Sequence, residues 1–329
     1  MSIRLFTVIP CFDEEAVLRE TAARLRAKYA SLVSDGVISD DSRILFVNDG
    51  SDDATWQIIR DLHGGDPVFQ GISLAGNCGH QNALLAGLNT AASLCDAAIT
   101  MDADLQDDPD AIDAMLEKYA GGADIVYGVR SERKKDSIFK RNTAQVFYRL
   151  MHAMGAKIVY NHADFRLMSA RALQALLQFG EVNLFLRGMI PMIGFPSAEV
   201  TYERGERAAG KSKYPVKAMV RFAVQGITSF SVEPIRMITR LGFFIFFVSI
   251  LVLIYSLVRH YTGHTITGWT TTVLSVWSIG GLMMISLGVL GEYIGRIYME
   301  SKGRPRYIIT EYLKDEKDTP DLIDRKGIV

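Results

Sequence analysis

The sequence predicts a mixed α/β domain on a mostly parallel sheet with helices on both faces, followed by a helical appendage directed at a membrane. Three observations lead there. Strand-like and helix-like stretches alternate over the first 130 residues, acidic and basic residues are segregated along the chain, and two long uncharged runs lie near the C-terminus. Alternation of this kind marks parallel strands joined by crossover helices.

Residues 5–9, 44–48, 68–74, 97–101 and 124–127 are short apolar runs of strand length. Residues 14–32, 54–63, 79–93 and 109–120 between them carry helical periodicity. Open sheets of this class bind ligands beyond the carboxyl ends of their strands. Chemistry-bearing residues fall there: Asp13, Asn48 with Asp49, Asn77, and Asp102 with Asp104. Residues 130–141 form a basic stretch, including Arg130, Arg133 and Lys140, which reads either as a solvated face or as a phosphate contact. A further helix is expected over 138–154.

Residues 1–129 hold 21 Asp/Glu against 8 Lys/Arg, and residues 204–240 hold 8 Lys/Arg against 2 Asp/Glu, although the whole chain nets only −1. That split separates aqueous chemistry from contact with an anionic membrane surface. Residues 241–258 and 265–291 contain no Asp, Glu, Lys or Arg. At about 1.5 Å per helical residue each is long enough to cross a hydrocarbon core of roughly 30 Å. Arg236 and Arg240 precede the first run, Arg296, Lys302, Arg304 and Arg306 follow the second, and the connecting loop carries only Arg259. The positive-inside rule then puts both ends in the cytoplasm. The apolar run at 5–9 is too short for a signal peptide and is soon followed by Asp13, Glu14 and Glu15. The expected layout is a cytoplasmic catalytic domain over 1–205, an acceptor loop and juxtamembrane amphipathic helices over 206–236, two transmembrane helices over 237–293, and a cytoplasmic tail over 294–329. Cys11, Cys78 and Cys95 are odd in number and lack metal-ligand spacing, which fits a reducing compartment.

The sharpest chemical signal is Asp102-Ala103-Asp104-Leu105-Gln106 at a strand end. Two carboxylates at i, i+2 there can address one hard cation, and Mg²⁺ or Mn²⁺ commonly bridges protein carboxylates to a diphosphate. Asn48-Asp49-Gly50-Ser51-Asp52-Asp53 is a second corner. Asp49 there suits a base or ribose, while Ser51 or Asp53 would equally serve as a helix cap. Pro10 through Glu15 form a third corner.

Together with Gly76-Asn77-Cys78-Gly79-His80-Gln81, Gly128-Val129-Arg130, Asp164-Phe165-Arg166-Leu167 and Arg207 through Gly210-Lys211-Ser212-Lys213-Tyr214, these motifs resemble the family-2 glycosyltransferases of GT-A fold. Within them the chain is similar to the polyprenyl-phosphate branch, which includes bactoprenol glucosyltransferases and dolichol-phosphate mannosyltransferases. The resemblance implies sugar transfer from a UDP-sugar, with UDP-glucose first and a GDP-sugar as alternative, to polyprenyl (undecaprenyl) phosphate in a bacterial plasma membrane, with inversion. It implies that Pro10, Asp13, Glu15, Asp49, Asp102 and Arg130 line the nucleotide-sugar pocket. Asp102, Asp104 and Gln106 would surround Mg²⁺ or Mn²⁺, and Asp164 would be the catalytic residue. Arg207, Lys211, Ser212 and Lys213 would grip the acceptor phosphate. A flippase and a further transferase would act downstream, and no nucleic-acid partner is expected. Phe12-Asp13, Asn48-Asp49 and Asp108-Pro109 stand where the family more often has Tyr-Asn, Asp-Asp and Pro-Pro, differences that bear on base and donor choice.

A phosphate monoester has its second pKa at about 6, so the acceptor is already a nucleophile near neutral pH. That favours Asp164 as an orienting group, or as a partner of Arg166 or another cation, over a strong base. Trp56, Trp269 and Trp277 do not follow arginine, which excludes the Gln-x-x-Arg-Trp motif of processive synthases. A membrane scaffold that merely binds nucleotide would need neither the paired carboxylates nor the cationic loop. Gly280, Gly281, Gly288 and Gly291 permit close helix packing and so a homo-oligomer.

Overall fold

The computed structural model describes residues 2–104, 106–130, 162–182, 184–203, 233–262 and 268–315. The chain divides into two compact units, one of 1–148, 157–216 and 304–329 and the other of 149–156 and 217–303. The expected helix over 138–154, the basic residues 131–141, the interfacial segment 214–232 and the acceptor-loop residues Arg207, Lys211, Ser212 and Lys213 lie outside the described residues.

The first unit is an eight-stranded sheet flanked by helices. In chain order its elements are β1 (Leu5–Cys11), α1 (Leu18–Ser34), β2 (Arg43–Asn48), α2 (Thr55–Gly65), β3 (Phe69–Leu74), α3 (His80–Ala91), β4 (Ala97–Thr100), α4 (Ala111–Ala120), β5 (Ile125–Arg130), β6 (His162–Ser169), α5 (Ala170–Leu177), α6 (Leu186–Met192), β7 (Ser197–Tyr202) and β8 (Ile309–Leu313). The strand order is β7-β5-β6-β4-β1-β2-β3-β8. Strands β4, β1, β2 and β3 run parallel, as the alternation predicts, and β5 pairs with β7 in parallel. The antiparallel β6 sits between β5 and β4.

Strands β1 to β4 are buried along their whole length, which is why they read as mostly apolar runs, with Thr7, Arg43, Asn48, Gln70, Ser73 and Thr100 as their buried polar residues. Helix α1 buries Leu18, Thr21, Ala22, Leu25, Tyr29 and Leu32 at helical spacing. Helix α3 lies so close to the sheet that a Cβ on Gly87 would collide with the Val8 and Val47 side chains. The sequence pattern gives no strand after the second apolar run. The structure adds β8 there, antiparallel to β3. Its Glu311 accepts hydrogen bonds from Trp56 Nε1 at 3.2 Å and Arg60 at 2.5 Å, and Tyr312 donates to Gln70 at 3.0 Å.

The second unit contains two long helices in contact, α7 (Glu233–Tyr261) and α8 (Trp269–Ser301). Among the described residues one stretch, Ile279–Ser301, is long and apolar enough to cross a membrane, and none of it is buried within the protein. The sequence predicts two crossing segments; the structure supplies two long helices but one qualifying stretch, so the transmembrane hairpin is not established.

Candidate active site

The carboxyl ends of β1, β2 and β4 share one edge of the sheet. Strand β6 runs the other way, with Arg166 opposite Thr100. Continuing that register puts Asp164 across from Asp102, which is how two residues 62 apart in the chain reach one place.

The β1 and β2 corners are laced together. Asp13 adopts a left-handed backbone (φ 54°), and its carboxylate accepts from the Asp52 N–H at 3.0 Å while its own N–H donates to Ser51 Oγ at 3.1 Å. Glu15 accepts from the Ala54 N–H at 3.0 Å and donates its own N–H to Asp53 at 3.1 Å. Both predicted pocket acids therefore brace the two loops. Pro10 is buried in β1 beside Val47.

Asp49 is buried, and its carboxylate accepts from the backbone N–H of Cys78 at 2.8 Å and of Gly79 at 3.0 Å. It thereby folds the loop that enters α3. Gly50 makes the close approach of that loop feasible: its φ is +67°, and a Cβ there would lie 2.6 Å from the backbone of Gly76 and Asn77. Burial, then the hydrogen bond to Asp49, pushes the Cys78 thiol up to about 12, so it is a thiol and not a nucleophile at neutral pH.

That turn delivers His80 to the first position of α3. Its Nε2 lies 3.8 Å from Asp102 Oδ1 and 3.6 Å from Asp164 Oδ2. Asp164 is also gripped by two guanidinium groups. Arg166 pairs with Oδ1, and Arg187 from α6 reaches Oδ1 at 3.2 Å and Oδ2 at 2.9 Å. Burial works to raise the Asp164 pKa, but His80, Arg187 and Arg166 outweigh it and hold the carboxyl well below its usual range. Burial likewise works to lower His80, and its hydrogen bond to Asp164 with the charges of Asp102 and Asp164 raises it overall. Arg166 is the largest fully buried side chain in the described structure, and burial lowers its pKa.

A second network flanks the first. The Tyr202 hydroxyl donates to the buried Asp107 at 2.5 Å, and Arg130 donates to that hydroxyl at 3.3 Å and lies 3.7 Å from Asp107. Burial raises the Asp107 pKa. Its Oδ2 is buried with no hydrogen-bond partner among the described residues.

Asp104 accepts from the Gln106 N–H at 3.2 Å. Among the described residues no three His, Cys, Asp or Glu side chains are gathered as a ready metal site. The chemistry of the corner nevertheless fits a hard cation. Asp102 and Asp104 supply the carboxylate oxygens such an ion prefers, and burial first, with the charges of Asp107, Asp164 and Asp104 against that of His80, pushes Asp102 up to about 6.

His80, Gln81, Arg187, Asp107 and Tyr202 thus join the residues singled out from sequence. His80 and Gln81 lie in a motif that carries the family resemblance without a role of their own. Arg187 has a readable signal: it is the only charged residue between Glu181 and Glu199, in an otherwise apolar stretch.

The model of the family described as glycosyl transferase family 2 matches residues 7–177, which span every strand and corner just described except α6, β7 and β8. The chain belongs to glycosyltransferase family 2. This family-2 glycosyltransferase is 51% identical over 96% of its length to the uncharacterized glycosyltransferase YkoT of Bacillus subtilis, covering 94% of that protein. It is 39% identical over 96% of its length to the bactoprenol glucosyl transferase of Shigella phage SfV, covering 99% of that protein. Among solved structures, a glucosyl-3-phosphoglycerate synthase from Mycobacterium tuberculosis in complex with Mn²⁺, UDP and phosphoglyceric acid covers 69% of this chain and 76% of its own at 17% identity, with a TM-score of 0.45.

Proposed function

We propose that this glycosyltransferase moves a sugar, glucose in the first instance, from a UDP-sugar onto a polyprenyl phosphate at the cytoplasmic face of a bacterial plasma membrane. The observation that carries the reading is His80, which lies within 4 Å of both Asp102, the carboxylate we assign to the donor, and Asp164, the one we assign to the acceptor. Near full-length similarity to a bactoprenol glucosyl transferase supports a polyprenyl phosphate acceptor. The exposed apolar residues of α7 and α8, among them Phe243, Phe247, Met284 and Ile297, support membrane anchoring.

Asp102, Asp104 and Gln106 would hold Mg²⁺ or Mn²⁺, which would offset the charge growing on the departing diphosphate. Asp13, Glu15 and Asp49 shape the nucleotide corner by fixing its loops. An acceptor phosphate oxygen attacks the anomeric carbon in line, the bond from that carbon to the UDP oxygen breaks, and its electron pair leaves with UDP; the configuration inverts. The acceptor needs no strong base, since a phosphate monoester is largely dianionic above a second pKa of about 6. Asp164, a carboxylate already saturated by cations, is a poor proton acceptor. Its role is to orient Arg166 and Arg187.

The test is to incubate membranes carrying the protein with labelled UDP- and GDP-sugars, polyprenyl phosphate and Mn²⁺ or Mg²⁺. Label that enters the organic phase, and stays in water with EDTA, is the expected result. Absence of lipid-linked label from every sugar nucleotide would overturn the reading.

A further inference from the structure

A dianionic nucleophile beside Asp164 faces an electrostatic difficulty. A carboxylate repels a phosphate dianion by about 2 kcal/mol at 4 Å even in water, and by several times that near a protein surface. The site has to supply more positive charge than Asp164 consumes. Two guanidinium groups on one carboxylate do so: Arg166 and Arg187 bring two positive charges against one negative.

The two arginines are not equivalent. Arg166 is sealed in the core, with about 1% of its side chain exposed, and no solute reaches it there. Arg187 keeps 31% of its side chain exposed, and the neighbouring His80 keeps 42%. Both meet the same carboxylate oxygen, Asp164 Oδ2. With Nε and Nη2 of Arg187 already donating to Asp164, the accessible side of the cluster presents the remaining guanidinium N–H groups and an imidazole edge next to each other. That pairing suits a phosphate, because a planar fork matches its oxygens and a ring N–H adds a third donor direction.

Gln81 fixes this geometry. Its Oε1 accepts the backbone N–H of Leu186 at 3.0 Å, so the residue after His80 pins the residue before Arg187. Loop and helix are thereby held in register, with Asp49 setting the turn from the other side. Asp102 lies on the far side of His80 from this fork in the chain of contacts, which leaves the metal corner to the donor diphosphate.

We propose that Arg187 and His80 form the subsite for the acceptor's phosphate monoester, with Asp164 and Gln81 as its positioning residues. The proposal rests on the polyprenyl-phosphate reading and adds residues outside the cationic segment at 207–213.

The experiment uses the full chain in detergent and two binding titrations, one with farnesyl phosphate and one with UDP plus Mn²⁺, each on wild type, R187Q, R187K and H80Q. Loss of one charge-assisted contact predicts about a tenfold or greater rise in the farnesyl phosphate Kd for R187Q. H80Q, which keeps a hydrogen-bond donor, should show a smaller rise. UDP binding should move less than about twofold in R187Q and R187K, and R187K, with charge but no fork, should fall between wild type and R187Q in farnesyl phosphate binding. Weakened UDP binding with unchanged farnesyl phosphate binding would assign the fork to the donor diphosphate and overturn the proposal. Unchanged binding of both ligands would overturn it as well. If R187Q fails to fold, R187K and H80Q decide by the same two Kd values. Wild-type binding of farnesyl phosphate without any sugar transfer would instead defeat the functional reading and leave the subsite standing.

Discussion

Gln81 Oε1 accepts the Leu186 N–H at 3.0 Å, joining the first turn of α3 to the first residue of α6 across 105 positions of chain. Each is next in sequence to a residue that contacts Asp164, His80 in the one case and Arg187 in the other. A Gln81→Leu change removes one neutral hydrogen bond, worth about 1 kcal/mol. Turnover at fixed, subsaturating acceptor should fall roughly three- to tenfold, with little change in UDP binding. Initial rates over an acceptor series check this.

Removing the negative charge of Asp164 leaves Arg166 as a buried cation with a weakened partner and Arg187 beside it. Breaking a buried pair of this kind costs about 3 kcal/mol or more. Asp164→Asn should lower the thermal midpoint and abolish most turnover while UDP binding persists. Differential scanning fluorimetry with a UDP titration separates the two effects. Full turnover in that variant would contradict the role given to Asp164.

Gly50→Ala meets two obstacles, a left-handed backbone and backbone atoms 2.6 Å from the new Cβ. Strain of that sort costs of order 1–3 kcal/mol. The Asn77–His80 loop should shift, and UDP affinity should fall together with stability. A urea melt and a UDP titration on the same sample test the coupling.

The ion pair at the start of β5 gives a pH prediction away from the site. Asp124 accepts from Arg171 and from Ser169 Oγ, and the Arg171 hydrogen bond, followed by Ser169, holds its pKa below the ordinary value against burial. A depressed carboxyl pKa contributes stability that is complete above the unfolded value near 3.9 and is lost as pH falls through the folded value. Asp124→Asn should therefore destabilise the protein at pH 7. It should also flatten the loss of stability below about pH 4. Denaturant midpoints at pH 7, 5, 4 and 3 follow both.

Chelation is the fourth perturbation of the site itself. EDTA should stop transfer, and Mn²⁺ or Mg²⁺ should restore it in wild type but far less in Asp104→Asn, since that change removes a hard anionic donor.

The parallel core was legible because β1 to β4 are buried on both faces and so are mostly apolar, with few charges to break the pattern. Strand β6 escaped because it carries Asp164 and Arg166, charges that break an apolar run although Arg166 is buried. Strand β7 escaped because it is an edge strand with alternating exposure, and β8 because it is short and polar. The carboxylates of the site could be picked out, since acids after strands are conspicuous. Of their partners only Arg166, two residues from Asp164 in the chain, could be picked out as well. Pairing of Asp164 with Arg187 depends on how α6 docks, and the bracing of Asp13 and Glu15 by the β2 loop depends on two corners meeting in space.

Strand β8 has a consequence for biosynthesis. The chain makes α7 and α8 between β7 and β8, so the sheet receives its last strand only after both long helices have been synthesised. Until then β3 presents an open edge of the kind that recruits foreign strands. A ribosome stalled within α8 would hold a nascent catalytic domain whose sheet is still unsealed, and Glu311 closing over Trp56 and Arg60 marks the moment of its completion.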